Sequence, residues 1–161
     1  MSDVTSRVLG PIDLDGGMGG GAMECDVPFG SRLVPTRLEI DHPGRLTQKL
    51  IDDLDVVLEN LHIPDRLARD AVAKEIPLEG SAPQRLFASW SKRGDANADD
   101  VDRFVAALRP TQMLITPDGG RVNRDRVVLR YGLDGMAEEV TVRLPSSPTG
   151  PEVDRALRHA R

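Results

Sequence analysis

Two hydrophobic periods occupy different parts of this chain and do not mix. Near both ends apolar residues alternate with polar ones, whereas between them they recur every three or four positions. A period of two lines one face of a strand, and a period near 3.6 lines one face of a helix. The order is strands, then helices, then strands. It leads to an α+β fold with largely antiparallel strands at both ends and central helices packed on the sheet.

Three strands are expected before the helices. Ile12 and Leu14 alternate with Asp13 and Asp15. Met23, Cys25 and Val27 alternate with Glu24 and Asp26, and Val34, Thr36, Leu38 and Ile40 alternate with Pro35, Arg37 and Glu39. Pro35 has no N–H for a ladder, which predicts an edge position for the third strand. The glycine run Gly16 to Gly21 and the turn Pro28 to Ser31 are read as connections.

Four helices follow. The first carries the stripe Leu46, Leu50, Leu54, Val57, Leu58 and Leu61, with Asp52, Asp53, Asp55 and Glu59 mostly off it. The second runs from Pro64 to about Glu75 with Leu67, Ala68, Ala71, Val72 and Ile76 on one side. Ser81 to Gln84 has capping-box form and opens a third helix bearing Leu86, Phe87 and Trp90. Val101, Phe104, Val105 and Leu108 mark a fourth, stopped by Pro110. Three strands then return: Met113 to Thr116, Arg126 to Tyr131 and Glu138 to Leu144. Residues 1–144 are expected to form one domain. Residues 145–161 are read as a Pro/Ser linker and a short C-terminal helix or tail, which Thr149, Pro151 and Glu152 would cap.

Composition limits the function classes. The formal net charge is -5, which argues against a general affinity for nucleic-acid phosphates. Only 3% of residues are aromatic, leaving little surface on which bases could stack. Cys25 is the only cysteine, so no disulfide closes within the chain and no thiolate zinc cluster assembles. No stretch approaches the ~18 apolar residues of a membrane span, so no membrane association and a cytoplasmic location are expected. Of the 21 basic residues all but Lys49, Lys74 and Lys92 are arginine, a bias that suits a GC-rich bacterial genome.

Several partial motifs fail on context. Gly17 to Ala22 matches the dinucleotide fingerprint, but that chemistry needs a helix N-terminus directly afterwards, and here a strand pattern follows. Asp13, Asp15 and Glu24 take the first, third and twelfth places of a calcium loop whose sixth place, Met18, should be glycine. Asp95, Asn97 and Asp99 begin a second such loop, which breaks at Asp100 and runs into the fourth helix. The simpler assignment makes Asp95 or Asn97 the cap of that helix, with Asp99, Asp100 and Asp102 at its positive end. His42, His62 and His159 have no second ligand at metal spacing and are read as surface residues. No cofactor, metal site or catalytic constellation is expected.

What survives is surface charge. If Ile12, Leu14, Met23 and Cys25 face one core, Leu14 pairs with Met23 and Ile12 with Cys25, and Asp13 meets Glu24 on the wet side. Arg37 sits opposite Glu24 when Cys25 is kept against Thr36 and Met23 against Leu38. Such a face either stays solvated and discourages edge pairing, or docks a basic partner. The candidate interaction surface is Asp13, Asp15, Glu24 and Asp26, together with Asp95, Asp99, Asp100 and Asp102.

The C-terminal half carries a resemblance. Leu108-Arg109-Pro110, Met113 to Asp118, Val127 to Tyr131, Asp134-Gly135 and Glu139 to Val142 together resemble small uncharacterised bacterial α+β domains, some of them immunity proteins of polymorphic toxin systems. The likeness follows element order over residues 9–144 and transfers no functional residue. It implies a non-enzymatic domain that binds a cognate protein. The alternatives are a small enzyme whose site is dispersed along the chain, and a calcium- or ligand-binding module using residues 95–100.

Overall fold

In the computed structural model, residues 4–17, 20–41, 44, 46–93, 100–118, 125–145 and 150–159 are described. The fold is α+β, with four helices and a mostly antiparallel sheet. Thr5–Ser6 (β1) and Gly10–Pro11 (β2) pair as a separate ribbon. The main sheet begins with Asp15–Gly17 (β3), Gly20–Phe29 (β4) and Arg32–Ile40 (β5). The helices are Gln48–Glu59 (α1), His62–Glu75 (α2), Ala82–Arg93 (α3) and Val101–Ala107 (α4). Arg109–Ile115 (β6), Asp125–Gly132 (β7) and Glu138–Pro145 (β8) follow, then Glu152–Val153 (β9) and Arg158–His159 (β10).

The two strand groups share one sheet of eight strands, in the order β10-β8-β7-β6-β5-β4-β3, with β9 also on β8. Only β5 and β6 are parallel, because the whole helical block is the crossover that joins them. Inward residues of the central strands join one core with the helices: Val27, Val34, Leu38, Ile40, Met113, Ile115, Val127, Leu129, Tyr131, Val140 and Val142 are all buried there. The four helices therefore cover one face of the sheet. Among the described residues, no helix packs on the other.

Register follows from that one-sided burial. Met23 pairs with Leu38, Glu24 with Arg37 and Cys25 with Thr36, as the alternation requires. A slip of one residue would turn the whole apolar set to water. Phe104 is fully buried and meets Phe87 edge-on at 5.3 Å and Trp90 at 5.5 Å, so most of the aromatic surface fills the helix interface.

Several expectations are overturned. The strand order is not three and three: three strands of the main sheet precede the helices and five follow. Pro35 lies on an internal strand, tolerated because the parallel ladder with β6 begins only at Thr36. The first ladder runs through Asp15–Gly17 and not Ile12 to Leu14, although its offset is the expected one, with Asp15 against Ala22 and Gly16 against Gly21. Gly20 to Ala22 belong to β4 and are not loop. Alternation cannot show this, since glycine carries no side chain to alternate. Gly21 is required for another reason: a Cβ there would stand 2.9 Å from the Leu14 Cβ.

Of the short helix or tail expected at the C-terminus, the described residues 150–159 form no helix. In its place β9 and β10 run antiparallel along β8, with Asp154 N donating to Thr141 O at 2.9 Å and Arg143 holding the Asp154 carboxylate at 2.7 and 3.1 Å. An open ladder on β8 outweighs the capping pattern of Thr149 to Glu152. On α2, Leu67 is 49% exposed, while Ala68 and Val72 make the buried contact. The cap of α4 is Asp100, whose Oδ1 accepts from Asp102 N at 2.9 Å and Arg103 N at 3.3 Å. The helix begins at Val101, too late for Asp95 or Asn97, both of which lie outside the described residues.

The largest surprise on α1 is Asp55. Its buried face is Ile51, Leu54, Asp55 and Leu58, rotated from the expected stripe, and the Asp55 side chain is fully buried. Ser6 Oγ donates to Asp55 Oδ1 and Arg7 N donates to Oδ2 at 2.8 Å. Ser6 Oγ in turn accepts from Val8 N at 3.1 Å and Leu9 N at 2.9 Å. One buried carboxylate thus pins the β1–β2 turn onto the helix.

Candidate functional site

The β4–β5 hairpin turns through Gly30 and Ser31. Gly30 has φ 61, the positive value that the first central position of a type II′ turn needs. The pair flanking a two-residue turn, here Phe29 and Arg32, exchanges backbone hydrogen bonds, and such pairs alternate along an antiparallel ladder. Counting back, Val27, Cys25 and Met23 direct their backbone groups to β5. Glu24 and Asp26 direct theirs to the opposite side. There β3 pairs with β4 only across Gly20 to Ala22, and among the described residues no strand borders Met23–Phe29.

The same parity places the Glu24 and Asp26 side chains on the uncovered face, where both are exposed. Arg37 crosses to Glu24 at 3.3 Å but lies closer to Glu39, at 2.7 Å. Its guanidinium is held protonated chiefly by the Glu39 hydrogen bond. The Glu24 side chain is 79% exposed, so its bridge is worth little. Cys25 points the other way and is half-buried, and burial first, then the Asp26 charge, push its thiol pKa up. It is a protonated, apolar neighbour of the core.

The two acidic groups, on the first hairpin and at the start of the fourth helix, lie on different parts of the fold as far as their residues are described. Asp13 is exposed in the segment between β2 and β3, and Asp15 pairs with Ala22 through the backbone. Glu24 and Asp26 share the outer face of β4. Asp100 and Asp102 are exposed at the start of α4, within the helical layer on the other side of the sheet. Asp95 and Asp99 lie outside the described residues.

Charge changes sign along the uncovered face. Going outward from β6, Gln112 is hydrogen bonded by Arg130, which pairs in register with Thr141. Burial, with Arg158 and Arg143 close by, lowers the Arg130 pKa. Val128, in register between Leu114 and Arg143, is buried even on this face. The β4 end is therefore acidic, the middle apolar and the β8 end rich in arginine.

A second feature is a cleft of about 470 Å³ between the β4–β5 turn, the α1–α2 junction and the α4–β6 junction, with Arg32, His62, Asp65, Arg69 and Arg109 on its walls. Asp65 accepts from Arg69 Nε at 3.0 Å and from the Tyr131 hydroxyl at 2.7 Å. Arg69 also donates to Val105 O at 2.6 Å and lies 5.2 Å from the Tyr131 ring centroid. Burial, then the Asp65 hydrogen bond, push the Tyr131 pKa far above its ordinary value. These three side chains satisfy one another and tie α2 to β7 and α4. Of this brace, only the Asp65–Arg69 spacing of four was legible in the sequence.

Among the described residues no helix is long and apolar enough to cross a membrane, and no cluster of three or more His, Cys, Asp or Glu side chains could hold a metal ion. No protein-family model, curated protein or solved structure matches the chain.

Proposed function

We propose that this protein is a non-enzymatic binding domain that receives a basic protein partner on the acidic β4 end of its sheet, as an immunity-like protein would. The observation that supports this reading is the placing of Glu24 and Asp26. Both stand exposed on the face no described helix covers, on a strand whose outer side is bordered, among the described residues, only as far as Ala22. Acidic groups in such a position steer a basic partner and penalise an acidic one. The partner is intracellular in this reading, and the Asp100–Asp102 group takes no part.

The test is capture from host lysate by the wild type and by the double variant Glu24→Lys/Asp26→Lys. A basic protein retained by the wild type at low salt, released at high salt and lost by the variant is the expected result. Equal retention by both refutes the reading. A second reading, a small ligand-binding protein or enzyme, is favoured by the arginines around the cleft. A melting temperature raised by millimolar phosphate or carboxylate anions, and not in Arg109→Ala, would support it.

A further inference from the structure

We infer that β4 takes its partner by strand addition, with an extended basic segment of another protein pairing along the outer side of Met23–Phe29. This rests on the binding-domain reading and specifies how recognition occurs. The groups available are the backbone N–H and C=O of Glu24 and Asp26, which the turn parity directs away from β5. Pro28 follows them in phase and offers only its C=O, so the row of donors ends there. Unpaired edge groups of this kind are the usual template for a partner strand.

The ladder fixes which side chains the segment must carry. A residue directly opposite Glu24 or Asp26 shares hydrogen bonds with it and points its side chain to the same outer face. Lysine or arginine belongs there. The intervening residues point to the inner face, beside Met23, Cys25 and Phe29, which are half-buried hydrophobics packed on the core. Apolar residues belong there. The recognised segment therefore alternates basic and apolar residues. A second copy of this chain is a poor occupant of the edge: two β4 strands paired antiparallel about Cys25 would set Glu24 against Asp26 twice, like charge opposite like.

The probe is an end-blocked hexapeptide alternating lysine and valine, compared with the same peptide methylated on each lysine backbone nitrogen. Methylation removes the donors that would face β4 and keeps every charge. The expected result is binding of the unmodified peptide at least tenfold tighter than the methylated one, with the difference lost in Glu24→Lys/Asp26→Lys. Equal affinity, or binding by neither peptide, overturns strand addition. The binding-domain reading falls separately, when charge reversal leaves lysate capture unchanged. A self-association of the protein that charge reversal abolishes would assign the edge to a second copy and overturn the inference too.

Discussion

Replacing Asp55 by alanine should loosen the N-terminal ribbon and lower global stability together. The carboxylate is fully buried and accepts from Ser6 Oγ and Arg7 N. Hydrogen bonds to a charged group are worth about 1.5–3 kcal/mol each, so two lost bonds cost about 3–6 kcal/mol. Removing the buried charge returns part of this as desolvation no longer incurred, which leaves about 2–4 kcal/mol. For a chain of this length each kcal/mol moves the melting temperature by about 2–4 °C, so a drop of roughly 4–16 °C is expected. Ser6→Ala should fall short of that. It removes one bond to Asp55 and the acceptor of Val8 N and Leu9 N, and in a double-mutant cycle it should couple to Asp55→Ala by about 1 kcal/mol or more. Calorimetry gives the melting temperatures, and hydrogen exchange over residues 5–11 reports the ribbon. A melting temperature within about 2 °C of wild type, with unchanged exchange there, would refute the anchoring role.

Other consequences are as direct. Phe104→Ala empties the centre of the aromatic cluster and should cost about 3–5 kcal/mol, read by denaturant melts with Trp90 fluorescence. Tyr131→Phe removes the donor to Asp65 and should cost about 1–2 kcal/mol, the smaller value because Arg69 still holds the carboxylate. Cys25 should react slowly with thiol reagents at neutral pH, and its rate should rise at higher pH than for a free thiol. Asp26→Asn should shift that profile downward, since the Asp26 charge is one cause of the raised pKa. Glu24→Lys/Asp26→Lys should leave the melting temperature nearly unchanged, because both side chains are exposed.

Much of the architecture was legible because burial is one-sided. Alternation fixed which residues of β4 and β5 face the helices, and with it the pairing of Glu24 to Arg37. What failed did so where the physics is non-local. Pro35 reads as an edge residue until the crossover brings β6 beside β5, and the capping pattern of Thr149 to Glu152 reads as opening a short helix through Ala156 until β8 offers an open ladder. Gly20 to Ala22 carry no pattern at all, so their place in β4 shows only in the backbone. Asp55 shares the buried face of Ile51, Leu54 and Leu58, which is rotated from the stripe that Leu50, Val57 and Leu61 suggest. Its acidic character made it read as solvated, because the sequence does not show that Ser6 and Arg7 come to meet it. The acidic surface was legible in part. Glu24 and Asp26 stand where the alternation put them, but strand parity separates them from Asp100 and Asp102 by the thickness of the sheet.

Strand addition requires a free outer side of β4, and amide exchange reads that side residue by residue. In the free protein the Glu24 and Asp26 amides should exchange fast and those of Met23, Cys25 and Val27 slowly, since only the latter bond to β5. Adding the lysine–valine peptide should slow Glu24 and Asp26 and leave the other three unchanged. Exchange at Glu24 and Asp26 that is already slow in the free protein, or that the peptide does not alter, would contradict it.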